Sequence, residues 1–352
     1  MRAVICGYYG KGNGGDEALL ASLLQMLPTE ITPVVLSGNL AETHTLQQGV
    51  EAVERMQAGA VLQALRRADV LIWGGGSLMQ DATSWVSPLY YGGLMGVAKQ
   101  LGLKTIAWAQ GIGPLKRPLT RWIAQQAFTD CTAVSVRDRA SAHLLSTWQI
   151  PFTLAPDPVW ALNSIPVPEL EQLPTPRVVV ALRAHPSLTP KRLSTFTQAL
   201  VHFQQVTQAY MLLVPFQPAQ DLPIVQTIQP HLPQVSQIVT LPNPQALKGL
   251  FRGVKMTIAM RYHGLIMAAA EGSRCFALSY DPKVSQLMDE LGMPGWDLAG
   301  VGTPLPDDPD AISRAWIECY EQDNLISGEQ IQSLIDRALL HQELLAKAVS
   351  LH

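Results

Sequence analysis

Two residues that could act on an anionic substrate stand two positions apart in the second half of the chain. Arg261 and His263 belong to the segment Met260–Gly264, which closes an apolar run and opens a helical stretch. In an extended strand end, residues two apart face the same side. Arginine offers a bidentate fork for carboxylate or phosphate, and histidine exchanges protons near neutral pH. The pair therefore favours anion binding with acid–base chemistry, although a lone histidine is more often structural.

Other cations also follow predicted strands. Arg137 comes directly after the apolar run Ala133–Val136, where Asp138 could instead pair with it in a structural salt bridge. Lys283 stands in the first turn of a predicted helix, three residues after Tyr280. A cation in that turn opposes the helix dipole, so either a bound anion offsets the cost or the lysine is solvated. We expect Arg261, Lys283 and Tyr280 to bind substrate.

Three glycine-containing segments follow predicted strands in the first half, at residues 10–15, 74–77 and 110–114. Glycine allows a ligand to approach the backbone closely, but one such segment is often only a tight turn. Three at successive strand ends converge on one edge of a sheet. We therefore expect a binding surface formed by Gly14, Gly15, Gly75, Gly76, Ser77 and Gln110.

The segment Gly10–Gly15 matches the glycine pattern of dinucleotide-binding sites, but two observations argue against NAD binding. Asp16 sits where the helix N-terminus would meet a pyrophosphate and would repel it. The second predicted strand ends in Ser37-Gly38-Asn39, without the carboxylate that would hold a ribose. Asp16 is expected either to cap the helix or to have a functional role, and it could do both.

The composition excludes several classes of protein. Net charge is −3, with 25 basic and 28 acidic residues among 352, which gives no indication of a nucleic-acid partner. The four cysteines are far apart and form no zinc-binding pattern with histidine. The N-terminus is predicted to be a strand rather than a signal peptide, and no apolar run reaches transmembrane length. We expect a cytoplasmic protein without a metal site.

Short apolar strands alternate with helical stretches in both halves, which predicts an α/β fold with parallel sheets. The segment Asn163–Pro176 carries four prolines and is interpreted as a linker. The alternation restarts at Arg177–Leu182, followed by Arg183, a weaker candidate cation. We predict two Rossmann-like doubly wound domains facing a cleft, at residues 1–165 and 175–325. Two C-terminal helices follow, near 309–322 and 328–349, and the last, within 328–352, is expected to pack back on the first domain.

Short motifs in a fixed order make the sequence resemble the polysaccharide pyruvyl transferases, most closely the CsaB type. They are Gly7-Tyr8-Tyr9-Gly10 with Gly12-Asn13, Gly15–Leu20, Gly74–Asp81, Gln110–Pro114, Val136–Asp138, Asp157-Pro158, Arg261–Gly264 and Tyr280–Lys283. The resemblance implies a GT-B-like fold and phosphoenolpyruvate as the donor. It also implies transfer of the enolpyruvyl group to a sugar of a cell-surface polysaccharide or its lipid-linked precursor, with release of phosphate and formation of a 4,6-linked pyruvate ketal.

The resemblance further implies that Asp16, Arg137, His263 and Lys283 match functional positions. Phosphoenolpyruvate carries a carboxylate and a phosphate, so several cations suit it. His263 is expected to protonate the methylene carbon of the donor as general acid. Asp16 is expected to act as base or to orient the acceptor hydroxyls, and Arg137 is expected to belong to the catalytic group. This scheme requires no cofactor and no metal.

Two other functions remain open. A GT-B glycosyltransferase that uses a sugar nucleotide would bind a nucleoside diphosphate. A non-catalytic carbohydrate-binding protein would bind sugar without releasing phosphate, but neutral sugars do not need the cations described above.

Three kinds of acceptor remain open, namely a lipid-linked disaccharide, a free oligosaccharide and a polymer repeat unit. A lipid-linked acceptor that contains N-acetylmannosamine would bring the protein into peripheral contact with a membrane. Four aromatic residues could stack on the sugar rings, although the protein core is their commoner place: Trp73, Trp85, Tyr90 and Tyr91.

Overall fold

The computed structural model describes residues 1–82, 84–300, 302–322 and 326–350, and the chain divides into two α/β units. The first comprises Met1–Leu162 together with the C-terminal segment from Ser333, and the second comprises Asn163–Gln332. Each contains one parallel sheet, so the predicted α/β class is confirmed. None of the helices in the described ranges combines the length and the apolarity that crossing a bilayer requires.

In its described part, the first unit has an eight-stranded sheet whose strands all run parallel. They are β1 Arg2–Cys6, β2 Thr32–Ser37, β3 Glu51–Glu54, β4 Val70–Trp73, β5 Gly76–Met79, β6 Lys104–Ile112, β7 Ala133–Val136 and β8 Thr153–Leu154. Their order is β3-β2-β1-β4-β6-β7-β8, with β5 beside β6. The order reverses between β1 and β4, and ligands of doubly wound sheets bind beyond the carboxyl ends of the strands at such a point.

Helices alternate with these strands: α1 Gly14–Met26, α2 Leu40–Leu46, α3 Ala58–Arg66, α4 Val86–Gln100, α5 Pro118–Thr129 and α6 Arg139–Thr147. Asn13, Asn39 and Asp138 begin α1, α2 and α6, and each accepts a hydrogen bond from a first-turn N–H. Such caps satisfy amides that have no partner inside the helix, and they fix where each strand-end loop stops.

The second unit repeats the architecture with six parallel strands in its described residues: β9 Arg177–Ala181, β10 Tyr210–Leu213, β11 Ser236–Ile238, β12 Val254–Ala259, β13 Arg274–Ser279 and β14 Gly295–Asp297. Their order is β11-β10-β9-β12-β13-β14, so the reversal falls between β9 and β12. The helices are α7 Pro168–Glu171, α8 Pro190–Thr207, α9 Pro218–Ile228, α10 Pro244–Gly249, α11 Tyr262–Ala270, α12 Pro282–Leu291 and α13 Pro309–Glu321. All but α11 begin with proline, whose fixed φ suits the first helical position.

The C-terminal segment forms two helices rather than the one predicted over residues 328–349. They are α14 Gly328–Ala338 and α15 Leu340–Ser350. His341 at the start of α15 is fully buried in the first unit, with ring nitrogens 2.9 Å from the Ser135 hydroxyl and 2.9 Å from the Pro156 carbonyl oxygen. The indole N–H of Trp108 donates to the carbonyl of His341 at 3.2 Å. The helix therefore closes the sheet of the first unit near β6, β7 and β8.

Burial lowers the pKa of His341 from 6.5 to about 4, and the nearby Arg137 acts in the same direction. The Pro156 carbonyl and Asp157 oppose this shift without reversing it. The imidazole is therefore neutral in the folded chain at pH 7. Because the Pro156 carbonyl only accepts, Nε2 carries the proton and Nδ1 accepts from Ser135.

This buried histidine predicts loss of stability in acid. Between pH 6.5 and 4 the unfolded chain binds a proton at residue 341 that the folded chain does not, so the contribution is present above pH 6.5 and lost as the pH falls. We expect His341→Gln to reduce the loss of unfolding free energy between pH 8 and pH 5 by about 2 kcal/mol relative to the wild type. Urea unfolding at both pH values measures this difference. The exposed His231→Gln is the control, and an equal loss in wild type and His341→Gln would contradict the assignment.

Candidate functional site

Glu17 organises the glycine-containing loop that follows β1. Its carboxylate accepts from the Gly10 N–H at 2.8 Å and from the Lys11 N–H at 3.4 Å. Burial raises the pKa of Glu17 to about 7, although the hydrogen bond from Gly10 acts against this shift. A carboxyl group that titrates near neutrality can hold or release a proton under working conditions. Glu17 is thus a functional candidate that the sequence analysis missed, since only its burial distinguishes it from Asp16.

Asp16 is the third residue of α1 and is half-buried. The helix cap is Asn13, whose side-chain oxygen accepts from the Gly15 N–H at 3.0 Å, so the alternative that Asp16 caps the helix is wrong. Gly14 and Gly15 are buried in the same turn. The Gly15 N–H already donates to Asn13 and is not available to a substrate. If Gly15 contributes to substrate binding as predicted, it does so because its lack of a side chain lets a ligand approach the backbone.

The glycines after β4 are packed against other parts of the first unit. A Cβ at Gly74 would overlap the hydroxyl of Tyr9, and one at Gly75 would press on Leu19. Gly76 has a φ of 133°, which residues with a side chain rarely adopt. The loop is therefore shaped by its own packing. It leaves Ser77 half-buried at the carboxyl edge of the sheet.

Gln110 is fully buried beneath this loop. Its amide nitrogen donates to the carbonyls of Trp73 at 2.9 Å and Gly74 at 2.8 Å. The side chain predicted to bind substrate thus holds the backbone of the glycine loop, and any effect on a ligand would act through that loop.

Arg137 forms a buried ion pair with Asp157 rather than with its neighbour Asp138. The Nη1–Oδ2 distance is 2.6 Å, and the two side chains are 3% and 1% exposed. Asp138 instead caps α6 through the Ser141 N–H at 2.7 Å, which corrects the pairing considered from the sequence. Nη2 of Arg137 donates to the Ser77 hydroxyl at 3.1 Å. Arg137 therefore fixes the position of Ser77.

The predicted sugar-stacking aromatics divide into two groups. Trp73 and Tyr91 stack on each other in the core of the first unit, with ring centroids 5.7 Å apart. Trp85 is exposed, and Tyr90 is half-buried with its hydroxyl donating to the Arg55 carbonyl at 3.0 Å. Only Trp85 and Tyr90 thus present ring surface outside the core.

In the second unit, Arg261 is held by Asp221 after β12. Nε and Nη2 of Arg261 donate to the two carboxylate oxygens of Asp221 at 3.0 Å and 2.6 Å. Asp221 is fully buried and also accepts from the N–H groups of Gln217 and Ala184. Burial lowers the pKa of Arg261, with the carboxylate of Asp221 acting against this shift. Most of the fork predicted to bind substrate is thus occupied by Asp221.

Arg183 follows the adjacent strand β9 and takes a more available position. Its Nη1 donates to the Tyr280 hydroxyl at 2.6 Å, and its guanidinium lies 4.8 Å from the centre of that ring. Its Nε–H is buried and has no protein partner within the described residues. The guanidinium as a whole is half-buried and meets no carboxylate in the described residues, so its outer N–H groups can bind an anionic ligand. The weaker candidate from the sequence is therefore the stronger one in the structure.

His185 is a second residue that the sequence analysis missed. Its ring lies 4.7 Å from that of Tyr280, and its Nδ1 accepts from the Ser187 N–H at 3.1 Å. The proton of the neutral ring is therefore on Nε2. Partial burial and the nearby Arg183 lower the pKa of His185, while Asp281 acts in the opposite direction. Arg183 and His185 repeat the spacing of Arg261 and His263 on the neighbouring strand, a signal that was present in the sequence.

His263 and Lys283 lie at the starts of α11 and α12. His263 is half-buried at the second position of α11, and its ring meets that of Tyr262 at 5.2 Å. Arg261, which precedes this helix, makes no capping hydrogen bond. Lys283 lies 3.7 Å from a carboxylate oxygen of Asp281, the cap of α12. The Asp281 carboxylate therefore offsets part of the unfavourable interaction between Lys283 and the dipole of α12.

The structure thus gathers Arg183, His185, Arg261 and Tyr280 at the carboxyl edge of the second sheet, where Arg183 and Tyr280 both influence the pKa of Arg261. Two guanidinium groups with one buried carboxylate suit a ligand that carries several negative charges. The described residues include no group of three or more His, Cys, Asp or Glu side chains arranged to hold a metal ion.

Several solved structures are similar to this chain over nearly its whole length. A putative UDP-N-acetylglucosamine 2-epimerase from Listeria monocytogenes has a TM-score of 0.66 at 10% identity, covering 99% of this chain and 95% of its own. The UDP-GlcNAc 2-epimerase of Methanocaldococcus jannaschii gives 0.63 at 11%, covering 97% and 100%. Anabaena HepE, in complex with UDP, gives 0.59 at 12%, covering 99% and 100%. At such identities the likeness shows the fold alone, and it confirms the Rossmann-like, GT-B-like class.

A search among curated proteins finds no significant match. The sequence profile of one family, described as polysaccharide pyruvyl transferase, matches residues 13–282. That range takes in all the residues discussed above from Asn13 to Tyr280, and it ends one residue before Lys283. Because the match covers well over half of the sequence, the chain belongs to the polysaccharide pyruvyl transferase family.

Proposed function

We propose that this protein transfers the enolpyruvyl group of phosphoenolpyruvate to a sugar, as a member of the CsaB type, and releases phosphate. The observation that carries the proposal is the half-buried guanidinium of Arg183, which meets the Tyr280 hydroxyl but no carboxylate in the described residues. Family membership supports the reaction class. The motifs that follow the strands in order support the subtype.

Donor binding is assigned to the second unit. Asp221 neutralises Arg261, and Asp281 lies close to Lys283. Arg183 has no carboxylate partner in the described residues, so it supplies the main uncompensated charge for the donor. The outer N–H groups of its guanidinium and the Nε2–H of His185 are donors that suit the oxygens of a carboxylate or a phosphate. Arg261 and Tyr280 hold the neighbouring strand ends and the guanidinium of Arg183 in place.

The chemistry needs one acid and one base. We assign His263 as the acid that protonates C3 of the donor, so that C2 gains oxocarbenium character and is attacked by a first sugar hydroxyl. The bond from C2 to the phosphate oxygen then breaks, and a second hydroxyl closes the ketal. The two hydroxyls release two protons, of which one replaces the proton used at C3 and the other leaves with hydrogen phosphate.

Acceptor binding is assigned to the first unit. Asp16 or Glu17 would take the hydroxyl proton, and Glu17 can exchange protons near pH 7. Ser77, fixed by Arg137, would donate to a sugar oxygen. Trp85 offers an exposed ring for stacking. We propose an acceptor that contains N-acetylmannosamine and is attached to a lipid carrier in the cytoplasm.

Calorimetric titration with phosphoenolpyruvate tests the donor, and release of phosphate with a panel of acceptor sugars tests the reaction. Saturable binding of phosphoenolpyruvate with acceptor-dependent phosphate release is expected. Binding of a nucleoside diphosphate without binding of phosphoenolpyruvate would favour a sugar-nucleotide glycosyltransferase instead.

Arg183→Gln is expected to weaken binding of phosphoenolpyruvate by about 10- to 100-fold, because a charge-assisted hydrogen bond contributes about 1.5–3 kcal/mol. Calorimetry measures the dissociation constant. The matched control is Arg314→Gln, since that arginine is two-thirds exposed on α13. Wild-type affinity in Arg183→Gln would remove the assignment of Arg183 as the donor-binding cation.

His263→Gln is expected to lower kcat by about 10²- to 10⁴-fold while changing the dissociation constant of phosphoenolpyruvate little, since general acid catalysis contributes on this scale. His185→Gln is expected to act mainly on donor binding. Parallel phosphate-release and calorimetric assays separate the two effects. If His185→Gln loses turnover and His263→Gln keeps it, the acid is His185.

A further inference from the structure

The first unit exposes large apolar side chains at the starts of two helices. Trp122 and Leu119 in the first turns of α5 are 59% and 58% exposed, and Trp85 and Val86 at the start of α4 are each 51% exposed. We call these four residues the Trp122 surface. Single exposed apolar residues are common, but a group containing two tryptophans is typical of an interaction surface.

The two helix starts lie together because α4 and α5 pack side by side in the same direction. Near their ends, the Lys99 ammonium donates to the carbonyls of Gln126 at 3.0 Å and Ala127 at 3.3 Å. In their middles, a Cβ at Gly92 would overlap the side chain of Ile123. Extending both helices toward their N-termini from these contacts places Trp85 and Val86 beside the first turn of α5.

Basic residues accompany the Trp122 surface. Lys116, Arg117 and Arg121 are all exposed around the start of α5. The sequence from Ala82 to Thr129 contains no acidic residue, in a chain whose net charge is −3. Its two other cations lie away from the start of α5, where Lys99 pairs with Asp130 and Lys104 meets the Val349 carbonyl, so the cationic character of the Trp122 surface comes from Lys116, Arg117 and Arg121.

The segment that carries these cations is held firmly from beneath by Asp81. The carboxylate of Asp81 accepts from the N–H groups of Lys116 at 2.9 Å and Arg117 at 2.8 Å, and from the Thr120 hydroxyl at 2.6 Å. Burial opposes ionisation, but these hydrogen bonds outweigh it and lower the pKa of Asp81. Asp81 therefore stabilises the backbone at the start of α5, and the charge of Arg117 also helps to lower its pKa.

We propose that the Trp122 surface and its three cations bind the surface of an anionic lipid bilayer. Tryptophan rings favour the boundary between headgroups and acyl chains, and leucine and valine gain by leaving water. Each lysine or arginine near an anionic bilayer adds attraction that salt screens. A second copy of the chain would offer the same cations and repel them. This inference rests on the surface itself, and apart from Trp85 the surface shares no residue with the proposed reaction.

The test is flotation of the full chain with vesicles of phosphatidylcholine alone or mixed with about one-third phosphatidylglycerol, at low and high salt. Binding to the anionic vesicles is expected, weakened at high salt. Trp122→Ser combined with Leu119→Ser is expected to reduce the partition coefficient about tenfold or more. Arg117→Gln with Arg121→Gln is expected to reduce it about 25-fold, at about fivefold per charge. The binding of phosphoenolpyruvate should be unchanged in both variants.

Matched controls come from exposed residues elsewhere. Val206→Ser, on α8, replaces an apolar side chain that is 52% exposed, and Arg66→Gln with Arg67→Gln removes two exposed charges near the end of α3. Both controls should float as the wild type does. The proposal is overturned if wild type does not float with anionic vesicles, or if Trp122→Ser with Leu119→Ser floats equally well. Loss of a dimer in sedimentation velocity without vesicle binding would assign the surface to self-association instead.

Discussion

A guanidinium group is costly to bury unless a carboxylate meets it, because an uncompensated buried charge costs several kcal/mol. Both units meet this condition at the carboxyl edge of their sheets. Arg137 pairs with Asp157 in the first, and Arg261 pairs with Asp221 in the second. Each pair joins residues far apart in sequence, so each fixes one strand end to another element. Ser77 in the first unit and the Ala184 N–H in the second take their positions from these pairs.

The same pairing decides which polar groups are available for a ligand. Two arginines that follow neighbouring strands differ in the structure. A buried aspartate occupies Arg261, whereas within the described residues Arg183 is engaged through Nη1 by Tyr280 and meets no carboxylate. Available charge is therefore concentrated beside His185 and Tyr280. In the first unit the corresponding edge offers hydroxyl and carboxyl groups, from Ser77, Asp16 and Glu17. This contrast is the basis for assigning the anionic donor to one unit and the acceptor to the other.

Apolar strands were predictable, since buried parallel strands read as short hydrophobic runs such as Val70–Trp73. Three strands were missed, namely Glu51–Glu54, Gly76–Met79 and Gly295–Asp297. These strands are short and contain polar residues or glycine. Their extended conformation therefore comes from hydrogen bonds to a neighbouring strand rather than from their own composition.

The site was predictable where a residue directly follows a strand, as for Arg183 and Arg261. Its ion-pair partners were not, because Asp157 and Asp221 approach through the fold. Glu17 is buried whereas Asp16 is only half-buried. The sequence could not show this difference, because the two acidic residues are adjacent and chemically similar. His185 could have been found, since it stands two residues after Arg183, as His263 does after Arg261.

The first unit combines residues from before and after the second unit in the sequence, and this affects the order in which the two units can fold during synthesis. His341 is the hydrogen-bond partner of Trp108, Ser135 and Pro156, and the carbonyl of Val349 accepts from the Lys104 ammonium at 3.0 Å. These early residues therefore lack those partners until the C-terminal helices have been synthesised. A ribosome delivers all of Asn163–Gln332 before those partners emerge. The second unit can therefore fold as soon as it is synthesised, whereas the sheet that was synthesised first keeps an uncovered face until α15 has been synthesised. During that interval the nascent chain exposes apolar surface that a chaperone would recognise.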